Sequence, residues 1–127
     1  MTGAVPSRSR EWIGIFGGAL MMASGALHSI AGWPALQATM RETNTPRMVV
    51  DGLAVPWHFA GAGMIVFGLL VILDLRGARR GAASSPPMSR VIGGCYLAFG
   101  LAGLVAIKLD PTFAMFIIPG LLALIAR

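Results

Sequence analysis

His28 and His58 are the residues whose type and spacing best suit chemistry. His28 falls about five residues before the end of the first apolar run and His58 near the facing end of the second, so an antiparallel hairpin brings them to similar depth. Ionisable groups inside apolar spans are costly to hold there and tend to face the bundle interior, which makes them functional candidates by default. Two imidazoles on neighbouring helices can ligate a haem iron axially, or hold the carbonyl of a quinone or another lipid-like substrate. A zinc or copper site is less well supplied, because structural zinc wants four protein ligands and catalytic zinc usually three. Glu42, Asp51 or Asp110 would have to complete it, and none has a diagnostic spacing. The plainer reading is that each neutral imidazole hydrogen-bonds a neighbouring helix or interfacial water. Trp33 and Trp57 bracket the pair. They suit an interfacial aromatic belt, or, with Trp57 beside His58, the lining of a pocket. The candidate ligand-binding set is thus His28, His58, Trp57 and Trp33, with no metal assigned and haem the one cofactor the pair invites.

The elements that must position these residues follow from composition. The chain is 56% hydrophobic and 12% charged, against roughly a quarter charged in soluble domains. Its charges cluster between long apolar runs, each close to the roughly 20 residues a helix needs to cross about 30 Å of hydrocarbon. In lipid each run must satisfy its own backbone groups, which forces helices. The expected fold is all-α, a single four-helix transmembrane bundle over 1–127, with spans near 11–33, 47–75, 89–107 and 111–126. A net charge of +5 raises the question of nucleic acid, but the arginines sit at helix ends, where topology explains them better. Cys95 stands alone inside the third run, so no internal disulfide is available.

Pro34 is expected to end the first helix, with a short interfacial helix over 35–42 and a turn at Thr43-Asn44-Thr45-Pro46. The second helix should start near Arg47 and carry Pro56 inside it, since starting at Pro56 would leave Met48 to Val55 as unpaired apolar chain. A flexible loop is expected from Arg76 to Ser89, with Ser84-Ser85 and Pro86-Pro87 in it. Lys108-Leu109-Asp110 reads as a tight reversal in which Asp110 caps the last helix and Pro111 takes its first position. A signal peptide is disfavoured because the first apolar run exceeds the usual length of about 7–15 residues. Arg8, Arg10, Arg76, Arg79, Arg80, Arg90 and Arg127 share one side, against Arg41, Arg47 and Lys108 on the other. That asymmetry places both termini in the cytoplasm and the histidines near the outer face.

The clearest pattern is on the first helix, where Gly14, Gly18, Met21, Gly25, His28 and Gly32 alternate by four and three. Gly93, Tyr96, Gly100 and Gly103 repeat it in the third, and His58, Gly61, Ile65 and Gly68 more weakly in the second. Small residues on such a seam let backbones approach closely in lipid, or clear space for a bulky ligand; the pattern also places both histidines on inward faces. Glu11 invites comparison with the membrane-embedded glutamate of small multidrug transporters, but beside Arg10 at a helix edge it supports proton coupling poorly. No phosphate loop, hydrolase elbow, zinc-protease motif or paired catalytic carboxylate is present.

The segment Gly25-Ala26-Leu27-His28-Ser29-Ile30-Ala31-Gly32-Trp33-Pro34, with Met40 after it and Trp57-His58-Phe59 in the second span, resembles small bacterial four-helix membrane proteins and is similar in outline to the DoxX-like group. The resemblance implies the four-span fold. Some DoxX-like proteins are linked to quinone-dependent redox complexes, but the group often carries a lysine or another polar residue where His28 stands here.

The expected function is that of a small multi-pass inner-membrane protein of accessory or structural character, open as to enzymatic activity. Its partners are the lipid bilayer and either further copies joined through glycine faces or a membrane complex, not nucleic acid. A modest cavity is expected between the first two spans. The alternative is a membrane redox or isomerase-type protein binding haem, quinone or another lipophile at His28 and His58.

Overall fold

The computed structural model describes residues 7–82 and 86–126, and every regular element among them is helical. Ser84, Ser85 and Arg127 lie outside the described residues. Helix α1 (Arg8–Leu27) passes through a π-helical turn (His28–Gly32) into α2 (Trp33–Glu42), making one rod; α3 (Arg47–Arg79) and α4 (Met88–Ala106) follow. A 3₁₀ turn (Pro111–Phe113) then leads into α5 (Ala114–Ile125). The result is an all-α bundle of four rods. Three of them, 8–42, 47–79 and 88–106, are long and apolar enough to cross a membrane, and the fourth, Pro111–Ile125, is apolar but shorter.

Pro34 does not end the first helix as expected. Its ring would collide with the carbonyl of Ile30, and its nitrogen has no hydrogen to offer it. The turn before Pro34 widens to the π form, which relieves the collision, and the chain then continues helically to Glu42. The stop comes at Thr43–Thr45. Asn44 takes a left-handed φ of 53°, Thr45 N–H donates to Met40 O at 2.9 Å and Asn44 N–H to Arg41 O at 3.1 Å, the pair of hydrogen bonds that closes a helix end. Helix α3 begins at Arg47 and contains Pro56, as expected, but runs on to Arg79. Gly81, at φ 85°, and Ala82 N–H donating to Gly77 O close it in the same way. The connection to α4 is therefore shorter than the glycines and arginines of 76–82 suggest.

The first helix packs on α3 along one side and on α5 along another, α4 packs on α5, and α3 and α4 share far fewer contacts. The α1 seam holds as expected. A Cβ at Gly18 would stand 2.7 Å from Gly68 O, and one at Gly25 would stand 2.5 Å from Gly61 O. Here glycine lets two backbones touch. Gly17, outside the expected seam, serves the α5 contact, where a Cβ would meet Leu122 and the Pro119 carbonyl. Gly93 and Gly120 pack backbone to backbone between α4 and α5. The shared core joins Met21, Met64, Val71, Leu75, Ile92, Tyr96, Ala123 and Ala126.

Candidate functional site

On α3 the buried positions Gly61, Met64, Gly68, Val71, Leu75 and Ala78 step by three and four. Extended one step back, that seam reaches Trp57, not His58. This register decides the site. Trp57 faces α1, while His58, about 100° further round the helix, is exposed. The expectation that both histidines look inward is therefore corrected for His58, and Ile65, assigned to the same seam, is exposed as well.

Four rings follow one another where the π turn meets α3. The His28 imidazole stacks on the Trp57 indole, with centroids 4.1 Å apart and planes 11° from parallel. Trp57 meets Trp33 at 6.1 Å, and Trp33 meets His58 at 5.6 Å. Trp57 and Trp33 thus link the two imidazoles through ring contacts. The Trp57 indole N–H crosses between the helices and donates to the backbone oxygen of His28 at 2.8 Å. Gly32, the last glycine of the seam, gives the indole its place, since a Cβ there would stand 3.1 Å from the Trp57 ring. His28 Nε2 is buried without a hydrogen-bond partner. The structure thus brings His28, Trp57, Trp33 and His58 into one cluster, with Trp57 central. Among the described residues no three His, Cys, Asp or Glu side chains gather to hold a metal ion, so Glu42, Asp51 and Asp110 do not complete a set there. Asp51 instead lies 3.6 Å from Arg47 on the exposed side of α3. Asp110 accepts from Thr112 N–H at 2.8 Å, the capping role expected of it.

Two polar arrangements at the opposite end of the bundle are absent from the sequence reading. Glu11 continues the α1 seam, one step before Gly14; it is buried and accepts from Arg79 Nη1 at 2.8 Å. Its expected place at the helix edge beside Arg10 holds, since it lies in the first turn of α1; the register adds Arg79 as its partner. Asp74 on α3 accepts from both the backbone N–H of Ser89, at 3.0 Å, and its hydroxyl, at 2.7 Å. The α4 N-terminus has only Pro87 before it, which supplies no side-chain cap. A carboxylate from the neighbouring helix takes that role and also favours the positive end of the helix dipole. A carboxylate in an apolar run was the available signal for Asp74.

No family model, curated protein or solved structure matches the chain. Fold and site together define a class: an all-α bundle, three of whose helices can cross a membrane, with an aromatic and histidine cluster where the first two rods join.

Proposed function

We propose that the chain is a small multi-pass inner-membrane protein of accessory or structural character, in which the ring cluster clamps the first span to the second. The observation that carries this reading is the Trp57–His28 O hydrogen bond. It ties the irregular π turn to the next helix. Lipid as solvent is supported by the apolar surface, which includes Trp12, Phe16, Val55, Phe59, Val105 and Leu109, all more than half exposed; in water such an area would drive association. The described arginines at the Glu11 end outnumber the basic residues at the Trp33 end, which supports cytoplasmic termini and an outward-facing cluster. The likeness to DoxX-like proteins stays within this proposal as a likeness of outline. The test is purification of His28→Ala and Trp57→Phe variants in detergent. Both should insert, and both should unfold at lower temperature than the parent. If His28→Ala leaves stability unchanged but removes a co-purified chromophore or ligand, the clamp reading falls.

The buried, unpartnered His28 Nε2 favours a second reading, a redox or isomerase-type protein that binds haem, quinone or another lipophile. This reading rests on His28 Nε2. A Soret band abolished by His28→Ala would establish the haem form. Preparations that remain colourless after haem reconstitution would remove it.

A further inference from the structure

Where the start of α1 meets the end of α3, cations outnumber the groups that could neutralise them. Glu11 accepts from Arg79 at 2.8 Å, which fixes these two helix ends side by side. Arg8 and Arg10 come just before Glu11, and Arg76 and Arg80 lie on either side of Arg79, so all four stand within about one helical turn of that ion pair. All four are exposed, and among the described residues none has a carboxylate within ion-pair distance. The nearby carboxylates are engaged elsewhere, Glu11 with Arg79 and Asp74 with the Ser89 hydroxyl. The negative end of the helix dipole favours arginines at the close of α3, but Arg8 and Arg10 stand at the positive end of α1, where a cation is disfavoured. Arg76 and Arg80, four apart, repel each other as well. An anion would relieve both. Exposed apolar rows lead into these cations: Trp12 and Phe16 follow Arg8 at steps of four, and Leu73 and Leu69 precede Arg76. An indole at a helix end lies at the level of lipid headgroups, which puts the guanidinium groups at the depth of the phosphates.

We propose that this end of the bundle binds the headgroups of anionic phospholipids, with a phosphate taken by Arg76 and Arg80 and with Arg8 and Arg10 completing a cationic rim. The planar guanidinium matches phosphate oxygens two at a time. A zwitterionic headgroup brings its own ammonium into the rim and is disfavoured. The proposal rests on lipid as the solvent of the bundle, but not on which leaflet faces the cytoplasm, and it is independent of the ring cluster.

The test uses the full chain in phosphatidylcholine vesicles with traces of spin-labelled phosphatidylglycerol or phosphatidylcholine, the nitroxide deep in the acyl chain. Electron paramagnetic resonance separates lipid held at the protein surface from the bulk. At low salt the parent should prefer phosphatidylglycerol roughly fivefold, and the preference should shrink as salt rises. Arg76→Gln with Arg80→Gln should cut it by at least half, and adding Arg8→Gln and Arg10→Gln should remove most of the remainder. Arg41→Gln with Arg47→Gln makes the same charge change at the other end and should leave it intact. The Glu11–Arg79 pair is untouched in every variant, and helix content by circular dichroism should match the parent. A parent without preference would overturn the proposal, and so would an equal loss in the Arg41 and Arg47 variant, which would reduce the effect to net charge. Inorganic phosphate that abolishes the preference at constant ionic strength would show a soluble anion as the occupant and overturn it equally. If neither lipid is held, the membrane reading fails and the proposal with it, a result distinct from lipid held without preference.

Discussion

Gly25→Ala and Gly52→Ala make the same chemical change and should shift stability in opposite directions. Both sites are in helices, where alanine is favoured over glycine by about 1 kcal/mol. At Gly52 a Cβ meets nothing within 4 Å, so the variant should keep that gain. At Gly25 the new carbon would stand 2.5 Å from Gly61 O, 2.9 Å from Met64 Cβ and 3.0 Å from Ile65 Cγ1. An ordinary carbon–oxygen contact is about 3.4 Å, so α1 and α3 must separate by roughly 0.9 Å. The nearest atom is a carbonyl oxygen within a helix, so no rotamer change relieves the overlap. A gap of that size forfeits roughly a quarter to a half of the dispersion contact between the neighbouring atoms, and overpacking of this kind is destabilising by about 1–3 kcal/mol. After the propensity gain, Gly25→Ala should lose up to about 2 kcal/mol. Reversible unfolding in mixed detergent micelles, followed by far-ultraviolet circular dichroism, reads both variants. If the two move together, the backbone contact is not what glycine is there to permit.

Further outcomes follow from the polar contacts. Glu11→Gln should lower stability by roughly 1 kcal/mol, by weakening a charge-assisted bond between a buried carboxylate and a part-exposed guanidinium; with Arg79→Gln added, unfolding measurements should show less than the sum of the two single losses. Ser89→Ala should destabilise by roughly 1 kcal/mol through the hydroxyl donated to Asp74, and amide exchange should rise in the first turn of α4 rather than across the bundle. Hydrogen bonds from Thr112, its side chain first and its backbone second, hold the Asp110 carboxyl below the usual carboxylate range. A lowered folded-state value means that the contribution is complete above the unfolded value and is lost as pH falls through the folded one. An acid titration of unfolding should therefore lose part of its lower limb in Asp110→Asn, while the neutral region changes little.

Helix number, the early start at Arg47, the Asp110 cap and the α1 glycine face could all be read from the chain, because each depends on local hydropathy, caps or a period of three and four. The π turn could not. It arises from how Pro34 is accommodated once the rod on both sides is held helical, and a proline alone signals a stop and a bulge equally. His58 shows the limit most sharply. A step of three back from Gly61 leads to His58 and a step of four to Trp57, both compatible with a seam, and only the packing of α3 on α1 selects the indole. The Glu11–Arg79 and Asp74–Ser89 pairs span 68 and 15 residues of chain, so they exist only once the rods are set side by side. What the sequence determined by itself was the inventory of helices, because apolar runs and caps act within a few residues. Tertiary structure alone decided which faces meet and at which glycines the backbones of the first two spans come into contact. Those outcomes turn on rotations of about 100° per residue and on gaps of an ångström, which no local signal encodes.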